Sequence, residues 1–289
     1  MPNTVDNFYP KLFGDRTHDS MIKALQETQY VLNSITDYTP FTNGKKADGY
    51  HGPKLGLLEA QKLPIADKDF ARIEKSSIHI PFDKEFGVSF VISDIEESMS
   101  NVNIQKECAT KAKDALLELY DDEIIKEMIS KSENKIKLST GTKLQKSDFM
   151  KARKILNAKK APRRGRYAAL CVEHESQLYD IEGFISRDKI KDTNAVKEGV
   201  IGRLMGFDII LVQDMPKIAE NGLISDTEAQ NTKEVSVFYS TLSIGFARQK
   251  EFGVKTSPDA GLPGDKMNIY SVFGLTAQEP NFVVTMRDN

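Results

Sequence analysis

From Ser100 to Ser130 the chain runs without a glycine or proline, and its apolar positions recur at helical spacing. Ile104, Cys108, Ala112, Ala115 and Leu119 form one stripe, continued with a small drift by Ile125, Met128 and Ile129. That spacing predicts a helix capped at Ser100, or through a Ser93–Glu96 capping box. About thirty residues at a rise of 1.5 Å make a rod roughly 45 Å long, well above the ordinary helix length. Heptads do not persist, so a long helix lying on a sheet is the expected form rather than a coiled coil.

The period changes upstream. Ile78, Ile80 and Phe82, then Phe86, Val88, Phe90 and Ile92, alternate with polar residues, which predicts two strands of a ribbon. Residues 43–72 are rich in Gly, Pro and charge and show no clean period, as expected for a functional reaching segment. Before them Met21, Leu25, Thr28, Leu32 and Ile35 predict a one-faced helix, with Thr17 or Asp19 as its cap and a stop before Pro40.

In the second half, "SENKIKLSTGTK" reads as a loop or short hairpin. "KSDFMKARKILNAKK" reads as an amphipathic helix capped by Ser147, with Phe149, Ile155 and Leu156 inward. A turn at Pro162 and Gly165 leads into a buried strand, "RYAALCV", and a second short helix, "HESQLYDI". Gly199, Gly202 and Gly206 punctuate two strands, the second ending at Pro216. An apolar block, "VSVFYSTLSIGFARQKEFGVKT", and the closing "KMNIYSVFGLTAQEPNFVVTM" supply further strands. The fold class expected is α+β, with strands on both sides of one long helix.

Composition narrows the function. The 289 residues carry a net charge of −2, so no global basic field draws the chain to a phosphate backbone. Cys108 and Cys171 lie far apart, which is expected of free thiols in a reducing compartment. The opening "MPNTVDNFYPKLFGD" lacks the apolar core of a signal peptide, and the most apolar stretch, "LMGFDIILV", is short and carries Asp208. No membrane partner is expected.

Catalytic signatures are largely missing. "STGTKLQKS" lacks the ending of a phosphate loop, and "GVIGRLMG" does not match a dinucleotide fingerprint. Cys171 and His174 make half of a zinc motif, while His18, His51 and His79 are scattered along the chain. Asp121–Asp122 reads as the solvated face of the long helix, and no G-x-S-x-G elbow occurs. These readings name no catalytic, cofactor-binding or metal residue, and expect no enzyme activity and no cofactor. The basic run from Lys159 to Arg166 remains, a turn at the surface or a local nucleic-acid clamp, with only Tyr167 near to stack on a base.

The order of elements resembles that of tailed-bacteriophage major capsid proteins. The resemblance rests on "APRRGRYAALCVEHESQLYD" followed by "VKEGVIGRLMGFDIILVQDMP", in which Gly199, Ile201, Gly202, Gly206, Phe207, Asp208 and Pro216 match the family pattern. The long helix resembles that family's spine helix. The resemblance implies a Hong Kong 97-type capsid fold: an N-terminal arm (1–45), an extended loop (46–82), a peripheral domain with the spine helix (83–134), an axial domain (135–245) and a return to the peripheral domain (246–289). It further implies a self-assembling subunit of hexamers and pentamers in an icosahedral head around double-stranded DNA, assembled in the host cytoplasm. Portal and scaffolding proteins would be its partners, and the packaged DNA would be contacted weakly and non-specifically. Two alternatives stand beside it: an encapsulin-like nanocompartment shell, and a monomeric nucleic-acid-binding protein using Lys159–Arg166.

Overall fold

The structure, a computed structural model, describes residues 31–42, 48–55, 75–93, 104–139, 143–181, 185–186, 200–218, 224–225, 233–258 and 264–288. Most of the expected N-terminal helix, Gly199 and residues 56–74 lie outside them.

In chain order the strands are β1 (Thr36–Asp37), β2 (Gly49–Leu55), β3 (Lys75–Pro81), β4 (Lys84–Ser93), β5 (Asn134–Lys137), β6 (Arg166–Leu170), β7 (Ile185–Ser186), β8 (Val200–Leu204), β9 (Phe207–Leu211), β10 (Lys217–Ile218), β11 (Ile224–Ser225), β12 (Val235–Ser240), β13 (Ile244–Pro258), β14 (Gly264–Ala277) and β15 (Val283–Arg287). The helices are α1 (Ile104–Lys131), α2 (Lys146–Ala158) and α3 (Val172–Leu178). Two sheets carry the fold, one of four strands in the order β1-β13-β14-β4 and one of seven in the order β5-β15-β12-β6-β9-β8-β7. Among the described residues β2 pairs with β3 alone, while β10 pairs with β11 and bridges Lys233 through Ile218.

α1 ends where the sequence places it, and Ala112, Ile125, Met128 and Ile129 of the expected stripe are buried, but around Ala115 and Leu119 the buried face is rotated from it. Ala109, Ala112, Leu116, Tyr120, Ile124 and Met128 are buried, whereas Ala115 is exposed and Cys108 and Leu119 are half-buried. Tyr120 explains the rotation. Its ring meets Phe273 edge-on with centroids 4.7 Å apart, and its hydroxyl bonds to Ser271. The aromatic residue gains far more from burial than Ala115 would, so it sets the face.

β4 keeps the expected alternation: Phe86, Val88 and Phe90 pack on the core and Ile92 is buried. The seven-stranded sheet is covered on both faces, because alternate residues of one strand enter different cores. Val237 and Tyr239 of β12 join the cluster that holds α1, while Phe238 between them joins the one that holds α2.

Four expectations change. Residues 43–72 contain a strand, β2, whose register against β3 runs from Gly49↔Pro81 to Leu55↔Lys75. Its Gly- and Pro-containing sequence has no strand period of its own, so pairing imposes the conformation. Among the described residues the segment after α1 contains the strand β5, which lies parallel to β15 with Asn134 opposite Val284 rather than pairing in a hairpin. Segment 246–289 divides: β13 and β14 lie in the four-stranded sheet, and β15 crosses to the seven-stranded one after a 3-10 turn at Pro280–Phe282. The cap of α2 is Gln145, not Ser147, in a capping box closed by Asp148. The buried Asp148 carboxylate accepts the N–H of both Gln145 and Ser139, each at 3.1 Å, and a carboxylate is the stronger acceptor there.

Candidate functional site: the anchors of the arm and the hairpin

Two segments are anchored on α1 and the four-stranded sheet, residues 31–42, the end of the expected arm, and the β2–β3 hairpin. The arm enters over α1. The N–H groups of Val31 and Leu32 donate to the Asp121 carboxylate at 3.4 and 3.2 Å. Asp121 therefore receives the orphan donors of the 3-10 turn Leu32–Ser34, rather than simply facing solvent. Only Asp122 behaves as expected for a helix surface, pairing with Lys126 at 2.9 Å. Below the turn the buried Ser34 hydroxyl bonds to that of Tyr239, whose phenol burial pushes up in pKa and holds neutral. β1 then pairs in parallel with β13, and the Tyr38 N–H donates to the Phe246 carbonyl at 2.8 Å.

The hairpin is anchored differently, by backbone laid across backbone. A Cβ on Gly274 of β14 would stand 1.9 Å from the Pro81 carbonyl oxygen and 3.1 Å from Ile80 Cγ2. A Cβ on Gly245 of β13 would stand 3.2 Å from Ile80 Cδ1. Ile80, wholly buried, is thus the inward side chain of β3, and glycines beneath it let the hairpin cross the long strands closely. The Thr276 hydroxyl donates to the His79 carbonyl at 2.9 Å, and Tyr38 of the arm stacks on Tyr50 of β2 at 5.0 Å. Arm and hairpin therefore share one attachment.

The glycine motif forms a hairpin within the seven-stranded sheet. Met205 and Gly206, at φ 51° and 85°, make its two-residue turn between Leu204 and Phe207. Positive φ at both positions is the hallmark of a turn whose twist matches its strands. Phe207 meets Phe149 and Phe238 edge-on, and Asp208 pairs with Arg203 across the strands. The motif positions α2 against the sheet and presents no chemistry.

The basic run divides in the same way. Arg166 is buried, and its guanidinium donates to the carbonyls of Pro162 and Ala161 at 2.7 and 2.8 Å. Gly165 turns at φ 68° where a Cβ would meet Thr241 Oγ1 at 2.5 Å. Arg163 and Arg164 are exposed. A clamp built on this run would lack its last arginine, Arg166, which holds the turn together.

Cys171 and His174 are each committed elsewhere in the packing. Burial pushes the Cys171 thiol up to about 11, against the thiolate a metal needs. His174 is enclosed, its Nδ1 against Ser236 Oγ at 2.6 Å and its Nε2 against Asp288 Oδ1 at 3.1 Å. These are the residue types of a nucleophilic triad, missed in the sequence because they are 62 and 114 positions apart. Ser236 has no exposed surface, so no substrate reaches its hydroxyl in this fold. The array fastens α3 and the end of β15 to β12.

A family model described as "Phage capsid protein" matches residues 94–274. None of the curated proteins matches the chain. Among solved structures, one from Mycobacterium phage Che8 is similar at a TM-score of 0.61 with 18% identity, covering 88% of this chain and 89% of that one. The capsid of Cyanophage P-SCSP1u is similar at 0.65 with 15% identity, covering 90% and 88%. A virus-like particle from Pyrococcus furiosus is similar at 0.56 with 13% identity, covering 95% and 99%. At such identities the likeness is one of fold.

Proposed function

The chain belongs to the phage capsid protein family and is a structural capsid protein of Hong Kong 97-type fold; on that premise we propose that its copies close into the hexamers and pentamers of an icosahedral head around double-stranded DNA. In this reading α1 with the four-stranded sheet is the peripheral domain and the seven-stranded sheet the axial domain. Residues up to Phe41 form the arm and the β2–β3 hairpin the root of the extended loop. Portal and scaffolding proteins would be its partners in the host cytoplasm, and it would carry out no catalysis. Contact with packaged DNA would be weak, given the net charge of −2 and the burial of Arg166.

The observation that carries the reading is the attachment of the hairpin. Among the described residues β2 and β3 pair with each other alone, and a two-stranded ribbon is marginal in water without further packing. Its root is built into the subunit, through Ile80 and Pro81 over Gly274, the His79 carbonyl on Thr276 and Tyr50 on Tyr38. Such a ribbon gains its remaining burial from another copy. The nanocompartment alternative rests on the shared fold alone.

Replacing residues 56–74 by a short Gly/Ser linker tests this. The variant should give a soluble subunit that melts cooperatively, since α1 and both sheets remain, while electron microscopy shows no closed particles. Closed shells of normal size from the variant would overturn the proposal.

A further inference from the structure

We propose that Asp48, His51 and His79, at the root of the β2–β3 hairpin, form a binding site for a divalent first-row transition-metal ion of the zinc type. The two histidines are separated by a long stretch of sequence and lie directly opposite each other in the antiparallel register. Their imidazoles stack with centroids 4.3 Å apart and planes 13° from parallel. Asp48, just before β2, turns back so that its Oδ1 lies 3.6 Å from His51 Nε2. One ligand atom from each of the three lies within 4.8 Å of the others. Around a tetrahedral zinc with bonds of about 2.0–2.1 Å, ligand atoms stand about 3.3 Å apart. The Asp48–His51 pair is already near that spacing, and the side chains are exposed, so small torsional changes close the set.

The backbone makes room for this arrangement. A Cβ on Gly49 would stand 2.8 Å from His79 Nε2, so glycine there lets the imidazole lie over the strand toward Asp48. The opposite face of the ribbon is committed elsewhere, Ile80 to the core and Tyr50 to Tyr38. The ligand trio thus occupies the outer face alone. Two imidazoles and one carboxylate suit zinc, nickel, cobalt or copper, whereas magnesium and calcium favour all-oxygen sets. Three protein ligands leave a fourth position for water. A bound ion would join β2 to β3 at the point where the ribbon leaves the subunit, fixing its direction.

Isothermal titration of the full-length protein with Zn²⁺ tests the site, with Mg²⁺ as control and Co²⁺ absorption reporting the coordination geometry. Because His18 and the cysteines offer other ligands, the readout is the difference between wild type and the His51→Ala/His79→Ala variant. Wild type should bind one more Zn²⁺ per chain than the variant, and Asp48→Asn should weaken that event at least about tenfold, since even outer partners of metal ligands contribute 10–100-fold. Wild-type Co²⁺ protein should show tetrahedral absorption that the double variant lacks. If the double variant melts below wild type, Asp48→Asn, which keeps the shape of the side chain, decides alone. Equal Zn²⁺ binding by wild type and a folded variant, or no Zn²⁺ binding beyond that of Mg²⁺, would overturn the proposal.

Discussion

The N–H of Leu32 donates to Asp121 Oδ1 at 3.2 Å, joining residues 89 positions apart in the chain. Through this contact and its neighbour from Val31, the side of the long helix serves as the cap of the arm's last turn. Asp121→Ala should destabilise the subunit by about 1.5–3 kcal/mol, the range for hydrogen bonds to a charged group. Asp121→Asn keeps an acceptor oxygen and should lose less. Thermal melts of the unassembled subunit rank the two; equal melting of both variants and wild type would show that the carboxylate does not hold the arm.

Gly274 supplies a sharper test of the hairpin's anchor. With a Cβ placed 1.9 Å from the Pro81 carbonyl oxygen, Gly274→Ala must displace the backbone of β3. Hydrogen exchange should then accelerate across Lys75–Pro81 and leave α1 protected. Wild-type protection of β3 in the variant would show that the crossing is looser than the geometry requires.

Ala115 tests the continuity of the spine helix without disturbing its packing. The residue is exposed, so Ala115→Pro acts on the backbone, removing one hydrogen bond and clashing with the preceding turn. The cost is about 3 kcal/mol or more. Ala115→Ser at the same place should be nearly neutral. Loss of soluble protein for proline but not serine is the expected pair of results, read from soluble yield.

Cys171 bears on pH. Burial holds its thiol near 11, so at pH 8 only about one part in a thousand is the reactive thiolate, against roughly a quarter for an exposed cysteine. The sign follows from a raised value: native protein should resist iodoacetamide at Cys171, its labelling rate rising about tenfold per pH unit below 11. Denatured protein should label readily at both cysteines. Mass spectrometry of the Cys171 peptide after native labelling at pH 8 reads the outcome, and rapid modification would place the thiol outside the core.

Local sequence determined what local burial dictates. The alternation of Phe86, Val88, Phe90 and Ile92 states a half-buried strand because successive side chains point to opposite faces. The uninterrupted run that forms α1 states a long helix for the same kind of reason. The glycine motif around Gly206 was legible too, since a turn with positive φ favours a residue without a Cβ. Even there the resolution was finite: alanines on several faces of α1 fit a stripe equally well, and only packing against Phe273 gave the face to Tyr120. Tertiary structure decided everything that depends on which segments meet. The partner of Asp121, the carbonyl over Gly274, the strand beside β5 and the facing of His51 and His79 all join positions far apart in the chain. No periodicity links such positions, because their contact arises only when the sheets close and bring distant strands into register.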